Sequence, residues 1–173
     1  MFTLTSPRLT FRNYTKQDLD FLQGMLASQE MMQYIGQGAT KTLQETEQFL
    51  QWIFSHYQED ERLGLKVIEH ATAKTRVDHA GIVPQSLQGQ RYFEIGYWII
   101  PEAQGNGYAK EAALAFFRLG KTSLHLDQMI ALVQPQNTAS IQVAQSLPMQ
   151  LQFEANVNGQ QVHVYSDVSL KDL

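Results

Sequence analysis

The segment from Tyr92 to Gly120 constrains the fold more than any other. It opens as "YFEIGYWII", passes through "PEAQGNG" and continues as "YAKEAALAFFRLG". The aromatic and β-branched residues from Tyr92 to Ile100 predict a buried strand. Gly107 to Leu119 predicts a helix, with Ala109, Ala112, Ala113, Phe116 and Phe117 on one stripe and Gly120 placed to end it. Gly105 and Gly107 occupy the helix start, where Ser, Thr or Asp ordinarily caps. A start of this kind leaves its first amides free for an anion. The other reading is that Asn106 caps the helix and the glycines only make a turn.

Around this unit the apolar period alternates between two and 3.6, which predicts a mixed α/β domain. Arg8 to Tyr14 reads as a strand. Thr15 with Asp18, and Thr42 with Glu45, are capping boxes that open two helices, and Ser28 to Lys41 between those helices reads as a partly irregular loop. Leu63 to His70, Val77 to Pro84 and Met129 to Gln134 read as strands, and Asn137 to Leu147 as a helix. Leu151 to Val157 and Gln161 to Val168 read as a hairpin turning at Asn158-Gly159. An order of β-α-α-β-β-β-α-β-α-β-β, ending on hairpin strands, argues against a doubly wound parallel sheet. No linker, repeat or low-complexity tract divides the chain, so residues 1–173 are expected to form a single domain.

Composition excludes several function classes. With no cysteine among 173 residues, disulfides, thiolate nucleophiles and Cys-based metal sites are ruled out together. The five histidines show no i, i+3 or i+4 pair, so no metal is expected. A net charge of −4 without a Lys/Arg cluster argues against nucleic acid as a partner. There is no apolar run near ~20 residues and no leader-like start, so a soluble cytoplasmic protein away from the membrane is expected. A homodimer is left open.

Two phosphate-binding patterns fail on this chain. A G-x-G-x-x-G fingerprint beginning at Gly105 meets Lys110 at its third glycine, and a P-loop ending in Gly120-Lys121-Thr122 lacks its earlier glycine, which is Ala115. A third pattern, Q/R-x-x-G-x-G/A, is met by Gln104, Gly107 and Ala109. With its flanks, the chain here resembles the GNAT superfamily of acetyl-CoA-dependent N-acetyltransferases, and within it the branch named for ribosomal-protein alanine N-acetyltransferases. "LTSPRLTFRNYTKQD" looks like the opening strand and first helix, and "FEIGYWIIPEAQGNGYAKEAA" like the central strand and pyrophosphate loop. "ALVQPQNTASIQVAQSLPM" looks like the strand and helix that carry an N-x-x-S motif, here Asn137 and Ser140.

The resemblance implies a mixed, mostly antiparallel sheet flanked by helices, its central strand pair splayed into a cofactor cleft, with Gly96 marking a bulge. It implies acetyl-CoA as the donor. The backbone of Trp98, Ile99 and Ile100 would meet the pantetheine arm, and the amides of Gln104, Gly105, Asn106, Gly107, Tyr108 and Ala109 would meet the diphosphate. Asn137 and Ser140 would lie beside the thioester. Glu94 is the candidate general base, and Ser140 the candidate donor to the departing thiolate, because this helix holds no tyrosine. Structural roles stand beside these: a Glu bonded to its neighbours, and a helix capped by Asn137 and Ser140. The acceptor implied is a primary amine, on a protein N-terminus or a small molecule, contacted by the Ser28 to Lys41 loop and the Asn158-Gly159 hairpin. Without a cysteine to carry the acetyl group, transfer would be direct. A non-catalytic coenzyme A binder of the same fold is the alternative. One departure stands out: Pro148 occupies the place of the usual glycine helix stop, and proline cannot take its positive φ.

Overall fold

The structure, a computed structural model, describes residues 1–170. Eight strands form one sheet: β1 (Thr3–Thr5), β2 (Leu9–Asn13), β3 (Gly64–His70), β4 (Arg76–Leu87), β5 (Gln90–Ile99), β6 (Ile130–Val133), β7 (Gln150–Val157) and β8 (Gln160–Ser166). Their order is β1-β2-β3-β4-β5-β6-β8-β7, antiparallel throughout except between β5 and β6. The helices are α1 (Leu19–Leu26), α2 (Gln29–Met32), α3 (Leu43–Glu59), α4 (Tyr108–Thr122) and α5 (Thr138–Ser146). This is the mixed, mostly antiparallel architecture expected.

Each sheet face has its own core. On one, Leu9, Phe11, Ile68, Ala80, Ile82 and Ile95 meet Ala112, Ala113 and Phe116 of α4 and Val143 and Ala144 of α5. On the other, Leu65, Val67 and Val83 meet Leu22, Met25 and Leu26 of α1 and Leu50 and Ile53 of α3. Both capping boxes form, although Thr15 opens a 3-10 turn (Lys16–Asp18) that then feeds α1. The expected loop from Ser28 to Lys41 contains one helical turn, α2, capped by the Ser28 hydroxyl.

β4 runs three residues beyond Pro84. β3 ends opposite Ile82, so the amide that proline lacks faces no partner strand. Gln88-Gly89, with φ of 51 and 78°, closes the β4–β5 hairpin just as Asn158-Gly159, with φ of 51 and 84°, closes β7–β8. Gly120 does not end α4, which continues to Thr122. A Cβ there would stand 2.4 Å from the Met129 sulfur, so the glycine is a packing requirement between α4 and the chain entering β6. α5 ends without a positive φ: Leu147 takes φ −86°, ψ 163°, the extended conformation favoured before proline.

β5 and β6 are joined at a single register pair, Glu94 with Ile130, and part beyond it. The bulge expected at Gly96 is not what parts them, because the β4–β5 ladder runs through Gly96, opposite Gly81, in unbroken register.

Candidate active site

The parted edge leads into the glycine loop. After Ile99 the chain makes a 3-10 turn (Pro101–Ala103) and reaches Gln104, whose amide donates to the Pro101 carbonyl at 3.2 Å. The Gln104 side chain donates back to the Ile99 carbonyl at 3.1 Å, so Gln104 tethers the loop and its own amide is spent. Gly105 and Gly107 have φ of 77 and 75°, a left-handed conformation that disfavours a side chain. Gly107 is the N-cap of α4, without any side-chain cap. Asn106 is not the cap. Its Nδ2 donates backward, to the carbonyls of Ala103 at 3.1 Å and Gln104 at 3.2 Å. Among the described residues, none accepts from the amides of Gly105 to Lys110, and the first helical bond runs from Glu111 to the Gly107 carbonyl at 3.1 Å. Unclaimed amides at the start of a four-turn helix form an anion nest.

Of the strand residues expected to present free backbone, only Ile99 does, and through its amide alone, since its carbonyl accepts from Gln104 Nε2. The Ile100 amide donates to the Val77 carbonyl at 3.4 Å. Alternation along an antiparallel ladder then commits Trp98 and Ile100 to β4 and turns Tyr97 and Ile99 toward β6. The Trp98 ring packs 4.2 Å from the His79 ring and 6.3 Å from Phe49, on the α1–α3 face.

Glu94 stands at the last position where β5 and β6 pair, on the face of Trp98, with Gly96 between them. A Cβ at Gly96 would meet only Leu65 Cδ2 at 3.5 Å, so the sheet floor beside the carboxylate is bare. Burial pushes Glu94 up to about 7, and the Gln85 amide, which donates to Oε2 at 2.9 Å, works the other way. On α5, Asn137 Oδ1 accepts from the Ser140 amide at 3.2 Å, so Asn137 is a helix cap with its Nδ2 still to spare. The half-buried Ser140 hydroxyl lies beside the Tyr97 phenol. The Tyr97 hydroxyl donates to the Ser140 carbonyl. Burial, and then the nearby charge of Glu94, hold that phenol well above its usual range.

The sequence also offers His79, Tyr92, Tyr108 and Tyr165 as polar side chains without bringing them to one place, and the structure sets His79 and Tyr92 apart from this cluster. His79 is fully buried, its Nδ1 2.8 Å from the Tyr14 hydroxyl, and desolvation lowers it to about 3. Tyr92 belongs to the separate core under the β7–β8 hairpin. Tyr165, buried on β8, shares the core that holds Tyr97. Two features escaped the sequence. One is Arg8, which reaches the glycine loop from the β1–β2 turn. The other is a strap: Gln37 Nε2 donates to the Asn158 carbonyl at 2.7 Å, Gln160 Nε2 to Gln37 Oε1 at 2.8 Å, and Gln134 Nε2 to the Gly36 carbonyl at 2.9 Å. The α2–α3 loop and the hairpin, expected to flank the cleft separately, are therefore bonded to each other beyond the end of β6.

Residues 8–150 match the family model of the acetyltransferase (GNAT) domain. The chain belongs to the GNAT acetyltransferase family. This GNAT chain is 31% identical over 150 residues to the uncharacterized protein YkkB of Bacillus subtilis, 84% of each being covered. Its fold matches that of RimL, a ribosomal L7/L12 alpha-N-protein acetyltransferase solved with coenzyme A, at a TM-score of 0.80 and 16% identity, covering 97% of this chain and 98% of that one. It also matches a spermidine N-acetyltransferase from Vibrio cholerae, solved with CoA and spermine, at a TM-score of 0.75 and 19% identity, covering 93% and 95%. No described helix of the GNAT chain is long and apolar enough to cross a membrane.

Proposed function

We propose that this GNAT protein moves an acetyl group from acetyl-CoA to a primary amine by direct attack in a ternary complex. The observation that carries the reading is the uncapped start of α4, where the amides from Gly105 to Lys110 have no acceptor among the described residues. A Cβ at Gly105 would meet nothing within 4 Å, so the loop leaves room for a diphosphate against its backbone. Family membership and neighbours solved with coenzyme A support the same donor.

Acetyl-CoA, when bound, supplies the acyl group already activated as a thioester. The amides of Gly105, Asn106, Gly107, Tyr108 and Ala109 hold the diphosphate, and the Ile99 amide faces the pantetheine arm. Asn137 Nδ2, its oxygen occupied by the cap, donates to the arm or to the acetyl carbonyl. An amine of pKa ~8 or above arrives mostly protonated at neutral pH. Glu94, with a pKa of about 7, takes that proton. The Ser140 hydroxyl donates to the departing sulfur. Neighbours named for a ribosomal-protein α-amine and for spermidine support an amine acceptor without choosing between protein and small molecule.

The test is calorimetric titration with coenzyme A, followed by thiol release from acetyl-CoA with peptide N-termini, polyamines and amino acids as acceptors. Binding with turnover of at least one acceptor is expected. Binding without turnover across the panel would favour the non-catalytic binder, and no heat at all would remove the donor.

A further inference from the structure

We propose that Arg8 is the positioning residue of the phosphate loop: it turns the Asn106 carbonyl away from the anion nest and cancels the charge of Glu111 beside it. This role rests on the donor assignment above. Arg8 follows β1, far from the loop in sequence, yet its Nη1 donates to the Asn106 carbonyl at 2.8 Å and its Nε to Glu111 Oε2 at 2.7 Å. The Arg8 backbone amide and the Ser6 hydroxyl both donate to Glu111 Oε1, at 2.8 and 2.6 Å. The guanidinium carbon lies 4.9 Å from the centre of the Tyr108 ring. The N-terminal arm thus grips the loop and the first turn of α4 at Asn106, Tyr108 and Glu111.

The geometry has a reason. A loop that converges its N–H groups on one side must send its carbonyls to the other, and those carbonyls need donors. Asn106 Nδ2 serves Ala103 and Gln104, and Arg8 serves Asn106. Glu111 suits the positive end of its own helix but repels a phosphate placed there. Burial opposes its charge, yet Ser6 and Arg8 together hold it ionised, so the charge must be balanced rather than titrated away. Arg8 supplies that balance. Its Nη2 lies 3.6 Å from where a Gly107 Cβ would stand, so the guanidinium edge borders the nest.

Removing Arg8 therefore does more than delete a contact, because it leaves an uncompensated carboxylate next to the diphosphate. Arg8→Gln should weaken coenzyme A binding about tenfold or more, the scale of one charge-assisted hydrogen bond. Adding Glu111→Gln to Arg8→Gln should recover part of the loss, whereas a merely structural role would make the double variant at least as weak. Arg8→Lys keeps the charge without the fork, should lose less than Arg8→Gln, and serves in its place if that variant does not fold. Calorimetry with coenzyme A, alongside thermal melts, reads all of these. An Arg8→Gln affinity within twofold of wild type, or a double variant no tighter than the single one, overturns the proposal. A wild-type chain that gives no heat with coenzyme A overturns the donor assignment itself, so the two failures are told apart.

Discussion

The Tyr97 hydroxyl on β5 donates to the Ser140 carbonyl of α5 at 2.8 Å, so the strand on one side of the parted edge is bonded to the helix that follows the other. Its raised pKa keeps the phenol a neutral donor at physiological pH. Tyr97→Phe removes that tie with little change in volume. It should cost about 1 kcal/mol, or roughly 2–4 °C in melting temperature. Turnover should fall severalfold as the first turn of α5 loosens, with coenzyme A affinity retained. Thermal melts and steady-state rates read both, and an unchanged rate would free Ser140 placement from Tyr97.

Glu94 sets an expected pH limb. With a pKa raised to about 7, its carboxylate is lost as pH falls through neutrality, and turnover should fall with it, apart from the higher limb of the amine. Glu94→Gln should remove this limb and lower turnover on the order of a hundredfold, leaving coenzyme A affinity intact. The Gln85 amide pulls Glu94 downward, so Gln85→Leu should move the limb to higher pH. A limb that persists in Glu94→Gln would place the base elsewhere.

What was legible in the sequence is what neighbouring residues encode. The strand from Tyr92, the glycine loop and α4 are written in local period and in two residues needing positive φ, and both capping boxes are four-residue signals. Gly120 misled because its cause is tertiary: the Met129 sulfur leaves no space for a side chain. Gln88-Gly89 turns like Asn158-Gly159, but glutamine carries none of asparagine's bias toward positive φ. β1, three residues long, is too short to show a period. Arg8 and the glutamine strap act across separations of about a hundred residues, so no window along the chain contains both partners.

The Ser140 hydroxyl, beside the Tyr97 phenol at the first turn of α5, predicts a separable effect. Ser140→Ala leaves the Asn137 cap intact, since that cap uses the Ser140 amide. Turnover should fall about tenfold or more, as expected when a donor to a leaving group is lost, while the acetyl-CoA dissociation constant stays where it was. Single-turnover rates with calorimetry separate the two, and wild-type turnover would leave Ser140 without a chemical role.

The strap should govern the acceptor rather than the donor. Its bonds are neutral and exposed, each worth about 1 kcal/mol or less, so the α2–α3 loop and the hairpin can part at small cost. Gln37→Ala breaks both bonds to the hairpin at once. The KM for the amine should change severalfold, with coenzyme A affinity and melting temperature nearly constant. An amine KM identical to wild type for every accepted acceptor would place the acceptor path away from the strap.

Lys66 gives stability an expected pH dependence of its own. The side chain is fully buried on β3, its Nζ donating to the carbonyls of Glu61 at 2.9 Å and Leu63 at 2.5 Å and lying 3.9 Å from the centre of the Tyr57 ring. Burial outweighs the nearby acids Asp60 and Glu61 and lowers its pKa from 10.5 to about 7. Between those two values the unfolded chain holds a proton that the folded chain has released, so stability rises with pH across that window and is flat below it. The slope from this one group is at most about 1.4 kcal/mol per pH unit. Lys66→Met removes the titrating group but leaves two carbonyls short of a donor, so its overall stability at one pH is uninformative. The slope decides. Urea unfolding at pH 6.5, 8 and 9.5 should show wild type gaining on Lys66→Met as pH rises, and parallel curves would assign the alkaline gain to another residue.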